Sequence, residues 1–153
     1  MDALSYPRFN TINPNDFLPL LNSKTIRKHL VGHELFTIDT LSTWMLGKIE
    51  VDTTPGCKIR GVYFKNELAG WCGIQLEEGK YEFAIIIDDK FWGLGKRVFR
   101  DMIRWAKELK HDEVYIRFLH TRPEYKFLKK IAKDVYQEDL FGSKFTTYHL
   151  TVE

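Results

Sequence analysis

An apolar strand that runs into glycines, cations and then a helix constrains this chain more than any other stretch. Residues 81–87, YEFAIII, make a β-branched run that Asp88 and Asp89 end. Lys90-Phe91-Trp92-Gly93-Leu94-Gly95-Lys96-Arg97 follows. Across residues 93–109, Val98, Phe99, Met102, Ile103, Ala106 and Leu109 fall on one helical stripe. Val114, Ile116 and Phe118 then alternate as a strand. A strand, a crossover helix and a further strand in one sheet predict a parallel pair.

The rest of the pattern surrounds that unit. Links at Lys65-Asn66-Glu67 and Glu77-Glu78-Gly79 divide residues 58–64, 68–76 and 81–87 into an antiparallel meander. Residues 5–11 read as a short first strand. Asn15 or Asp16 is the expected cap of a helix reaching about Leu30 and ended by Gly32. Asp39 or Thr40 is the expected cap of a second helix over residues 41–51. Pro123 opens a short helix carrying Phe127, Leu128 and Ile131, and strands over about 134–141 and 145–152 hinge at Gly142-Ser143. The expected fold is therefore α/β (α+β): a mixed, mostly antiparallel central sheet with one parallel pair and helices on both faces. No repeat or linker interrupts the pattern, so residues 1–153 read as a single domain.

Charge and cysteine content narrow the partners. With 23 basic against 21 acidic side chains, the net charge is +2 and gives no global nucleic-acid or membrane signature. No apolar run reaches the length of a membrane span, and the first ten residues lack a signal peptide's basic start and apolar core. Cys57 and Cys72 have no CxxC spacing and read as reduced thiols, which places the protein in the cytoplasm. His29 and His33 have a metal-ligand spacing. They lack the intervening glutamate and a third ligand, and Gly32 interrupts their helix, so no metal is expected.

Any anion site must then be local, and the glycine junction is the place for it. A P-loop needs a first glycine where Lys90 stands and Ser or Thr where Arg97 stands. A dinucleotide fingerprint needs a third glycine where Val98 stands. Both patterns fail. Strand, K-F-W-G-L-G-K and amphipathic helix instead resemble the acyl-CoA loop of the GNAT superfamily of N-acetyltransferases, Gln/Arg-x-x-Gly-x-Gly/Ala, with Lys90 at the leading position. The element order matches along the whole chain. Residues 22–30, NSKTIRKHL, with Trp44 and residues 81–93 resemble the branch that acetylates ribosomal-protein N-termini and its spermidine-acetylating relatives.

That resemblance implies an N-acetyltransferase using acetyl-CoA as cosubstrate on a primary amine of a small molecule or a peptide, and it is compatible with a homodimer. It implies that the backbone of Ile85, Ile86 and Ile87 lies along the pantetheine arm, and that a β-bulge in this strand opens the sheet for the ligand. Phe91, Trp92, Gly93, Leu94, Gly95 and Lys96 would wrap the pyrophosphate on the free N–H groups of the helix. Arg97, Arg100, Lys126 or Lys129 would meet the 3′-phosphate.

Glu82 is the expected general base. The family motif Asn-x-x-Ala-x-x-Leu-Tyr has a tyrosine that protonates the thiolate, but Phe127 or Leu128 stands there, and the Gly-Phe pair after it is also absent. His120 and Tyr125 are the nearby substitutes. Two other readings suit the same residues: a CoA-binding module without turnover, and a non-enzymatic protein whose glycine turn is only structural.

Overall fold

The computed structural model describes residues 3–28, 34–91, 93–122 and 125–152. Expectations that fall on His29, Leu30, Gly32, His33, Trp92 and Pro123 lie outside those residues. Seven strands form one sheet in the order β1-β2-β3-β4-β5-β7-β6. β1 (Leu4–Ser5), β2 (Lys58–Phe64), β3 (Glu67–Glu77) and β4 (Lys80–Ile87) pair antiparallel. β4 and β5 (Glu113–Leu119) run parallel, and β5, β7 (Ser143–Thr151) and β6 (Ala132–Leu140) return to antiparallel pairing. The mixed sheet with its parallel pair is the one the sequence pattern implies.

The hairpin links are tighter than their sequence suggests. Lys65-Asn66, Glu78-Gly79 and Phe141-Gly142 each have two consecutive positive φ angles, as two-residue hairpin turns require.

The N-terminal third departs most from the sequence reading. β1 covers two residues, because Pro7 has no N–H for a ladder and Phe9 turns inward in a 3-10 turn, Phe9–Thr11. The long first helix is broken in two. α1 (Pro14–Leu21) is capped by Asn13, whose side chain accepts from Asn15 N at 2.9 Å. It stops at Asn22, whose amide clasps Phe36 in both directions, at 2.8 and 2.9 Å. Ser23 then caps α2 (Lys24–Arg27). α3 (Ile38–Asp52) begins earlier than expected, since Thr37 accepts from Thr40 N and Thr40 returns the bond. α4 (Leu94–Glu108) and α5 (Lys126–Ile131) fall where their stripes put them.

Two cores sandwich the sheet. Phe83, Val98, Met102, Ile116 and Tyr148 are buried on the α4–α5 side. Phe9, Phe17, Leu41, Ile59 and Trp71 are buried on the α1–α3 side. Side chains alternate along β4, so Ile85 and Ile87 pack with the first core while Ala84 and Ile86 pack with the second.

The parallel pair is short. β4 and β5 are in register at Glu82↔Tyr115 and Phe83↔Ile116, after which the ladder ends and the strands part in a V. The expected bulge is not the cause, since β4 keeps an unbroken register with β3 from Gly70↔Ile87 to Glu77↔Lys80. β5 instead stays paired with β7 as far as Leu119↔Phe145, well past the end of its ladder with β4.

Gly70 lets β3 hold β4 at this opening, because a Cβ there would lie 1.8 Å from the Ile86 carbonyl oxygen. Gly70→Ala must therefore shift the backbone of β4. A loss of about 1–3 kcal/mol is expected, as for an overpacked core. Equilibrium denaturation checks it, and a variant as stable as the parent contradicts it.

Candidate active site

α4 starts without a side-chain cap, in contrast to α1 and α3. Its N-cap is Gly93, held at φ +92°, a left-handed conformation that favours glycine. The first turn has no acidic residue and contains Lys96 and Arg97. Cations there oppose the helix dipole, whereas an anion at the same place would meet free N–H donors and Lys96, which lines the adjoining groove. At Gly95 a Cβ would meet no heavy atom within 4 Å, so the bare backbone faces open space.

This end of the helix opens onto a groove of about 480 Å³ that fills the V between β4 and β5. Ile85, Ile87, Phe91, Gly93, Gly95 and Lys96 line it, and Tyr125 stands opposite them. Strand alternation turns Ile86 away from this groove, whereas Ile85 also borders the pocket beyond it. Ile86 lies in a smaller pocket of about 160 Å³ on the α1–α3 side, with Glu82, Ala84, Arg117 and Phe145. Leu94 is buried beneath the loop in the core, and Lys90 pairs with Glu67 at 3.1 Å. β4 thus has one groove on each face. Arg122 lines both.

The smaller pocket continues past Glu82 and Arg117 to the two hairpin tips, where Glu77, Glu78, Leu140 and Phe141 surround a further space of about 100 Å³. Arg117 is 6% exposed and bridges two carboxylates, Glu82 and Glu138, the latter at 3.1 Å. Burial pushes the Glu82 carboxyl above the usual range, and Arg117 only partly opposes this. The other partner of the same guanidinium moves the opposite way. Burial also raises Glu138, but the Thr147 hydroxyl and Arg117 outweigh it and hold it below the usual range. Nearby, Lys48 lies against the Trp44 and Trp71 rings, donates to Gln75 and is lowered by burial.

The two proposed proton donors part company. Tyr125 lines the larger groove, its hydroxyl accepting from Arg122 Nη2 at 2.6 Å and its N–H donating to Tyr148 Oη at 3.2 Å. His120 is exposed, with Nδ1 3.1 Å from the Lys144 carbonyl, and lines neither groove. Sequence reasoning missed Arg117 and Arg122. Alternation with Ile116 and Phe118 turned Arg117 to the opposite face of β5, but only the register Glu82↔Tyr115 brings it to Glu82. Arg122 follows the end of β5 and had no pattern to mark it.

Among the described residues, no three His, Cys, Asp or Glu side chains gather as a metal site, and no helix is long and apolar enough to cross a membrane. The fold is that of the GNAT acyl-CoA N-acyltransferases. A Bordetella pertussis protein assigned to the GnaT acetyltransferase family superposes with a TM-score of 0.78 at 12% identity, covering 98% of this chain and 96% of that one. The microcin C7 self-immunity acetyltransferase MccE, solved with acetyl-CoA and AMP, gives 0.72 at 13% identity, covering 99% and 94%. RimL, the ribosomal L7/L12 α-N-protein acetyltransferase, solved with coenzyme A, gives 0.72 at 14%, covering 99% and 96%. Likeness at such identities shows the fold. No protein-family model and no curated protein sequence matches the chain.

Removing Arg117 leaves two half-buried carboxylates without their cation. Arg117→Met is expected to destabilise the protein by about 3–5 kcal/mol at neutral pH. Protonation of both carboxylates should relieve part of that loss, so the gap to the parent narrows as pH falls into the carboxylate range. Denaturation curves at several pH values test this, and an equal gap at every pH contradicts it. In the parent, a raised Glu82 favours the protonated folded form. Its contribution is full below the ordinary carboxylate range and is lost as pH rises through the raised value.

Proposed function

We propose that the chain is an acetyl-CoA-dependent N-acetyltransferase, which moves an acetyl group to a primary amine by direct attack. One observation carries this reading: an uncapped, cation-bearing helix start opens onto a groove that separates two parallel strands. Two proteins of the same fold were solved with acetyl-CoA or coenzyme A, which supports the choice of ligand.

In this reading the first N–H groups of α4, with Lys96, hold the pyrophosphate. Residues 85–87 of β4, which have no β5 partner in register, take the pantetheine arm along their edge. The amine enters from the other face, through the pocket of Glu82, Ala84, Ile86 and Phe145. Freeing an alkylammonium of its proton at neutral pH costs about 4–5 kcal/mol. Glu82, raised towards neutrality by burial, is the better matched to accept that proton, directly or through water. Tyr125 supplies the proton that the leaving thiolate takes up. Phe127 lines the same groove and has no proton to give. We place the enzyme in the reducing cytoplasm as a single domain, a choice supported by its two buried, unpaired cysteines.

Gly95→Val is the direct test of the phosphate site. The substituent enters open space at an ordinary φ, so the fold should survive. Its branches should crowd an anion off the helix start. Calorimetry should show CoA affinity falling at least about tenfold, a change of roughly 1.4 kcal/mol. Unchanged affinity in the folded variant removes the reading. Gly93→Val is less clean because its left-handed φ adds strain.

For the base, Glu82→Gln should lower turnover at neutral pH by about a hundredfold or more while CoA affinity holds. Part of the activity should return at alkaline pH, where free amine is abundant. A pH–rate profile identical to the parent's gives the role to another group.

A further inference from the structure

Resting on the acetyltransferase reading, we infer that Arg122 is a positioning residue for proton delivery: it aims the Tyr125 hydroxyl proton into the cofactor groove and holds the charge left when that proton departs.

The direction of the Arg122–Tyr125 hydrogen bond is fixed by chemistry. A guanidinium has donors and no acceptor, so at 2.6 Å it is Arg122 Nη2 that donates and Tyr125 Oη that accepts. The tyrosine's own proton must then point elsewhere, and Tyr125 is a wall of the larger groove. Both partners are held in place. Arg122 lies 4.5 Å over the Phe118 ring, the Tyr125 ring packs 4.8 Å from the same ring, and the Tyr125 backbone N–H is tied to Tyr148 Oη. Among the described residues no carboxylate pairs with Arg122, and its guanidinium donates to the phenol oxygen. Arg122 also lines both grooves, which puts it where amine and thioester would meet.

The amine nitrogen attacks the thioester carbonyl carbon, a C–N bond forms, and the C–S bond breaks with its electron pair on sulfur. Tyr125 gives its proton to that sulfur, and Arg122 steadies the phenolate. The acceptor ammonium surrenders two protons, one to Glu82 before attack and one afterwards. One of these restores Tyr125 through water and the other leaves to solvent. Tyr125, at the N-cap of α5, thus supplies a phenol that neither Phe127 nor Leu128 has.

The test is a double-mutant cycle of Arg122→Met and Tyr125→Phe, with steady-state kinetics and calorimetric CoA binding. Each single variant should lose about a hundredfold in kcat, the low end for a general acid because a thiolate already leaves readily. KM and CoA affinity should change only a few-fold. The double variant should be no slower than Tyr125→Phe alone, because Arg122 acts only through the tyrosine. Arg122→Lys should recover part of the loss. A parental kcat in Arg122→Met, or losses that multiply in the double variant, overturns the inference while leaving the enzyme reading intact. A parent that binds CoA but acetylates no amine in a broad panel overturns both. If Arg122→Met does not fold, Arg122→Gln takes its place in the cycle.

Discussion

The end of the β4–β5 ladder after Phe83 is the constraint on which the rest of the molecule depends. A sheet that stops pairing leaves backbone N–H and C=O groups without partners, which is costly wherever water cannot reach them. Here the unpaired edges line an open groove, so solvent or a ligand's amides can meet them. The opening stays in place because each strand is held from its far side. β3 pairs with β4 along its whole length, and β7 pairs with β5 along its whole length. Gly70, with no side chain against Ile86, allows that close hold on β4.

The two faces of β4 then take different chemistry from a period of two. One face carries Ile85 and Ile87 over the helix start, in a groove whose polar side chains are Asp88, Asp89, Lys96, Arg122 and Tyr125. The other carries Glu82 in a buried chain of charge through Arg117 to Glu138 and Thr147. Such a chain is weak evidence for stability, since well-packed apolar residues often serve as well. Its value lies in what it does to Glu82. A carboxyl raised by burial and incompletely relieved by its cation is better suited to proton exchange near neutrality than an ordinary carboxylate.

Local patterns revealed the sheet and helices, whereas contacts made across the fold remained hidden. The meander, the crossover helix and the parallel pair followed from alternation and helical spacing, because both are written in consecutive residues. Gly93 marked the helix start because its left-handed φ needs glycine. The break at Asn22 was not visible, since its cause is a clasp on Phe36 fourteen residues away. Nor was Arg117, whose meaning depends on a register between strands separated by a whole helix. His120 and Tyr125 lie close in sequence, and there His120 read as the stronger candidate because it follows a strand end beside the cleft. Only the path of β7, which brings the Lys144 carbonyl to the His120 ring, separates them.

Arg122 connects these halves. A cation placed beside a thioester has two uses, either to polarise the carbonyl directly or to act through a neighbouring acid. The observed bond favours the second, because the guanidinium already donates to the Tyr125 oxygen and is stacked on Phe118. A planar group held on a ring has little freedom to swing towards the substrate. The phenol, by contrast, has a hydroxyl proton that turns about one bond. In the proposed mechanism the rigid partner sets the geometry and the rotatable one does the transfer, an assignment that would also account for a site whose α5 offers only Phe127 and Leu128 in that place.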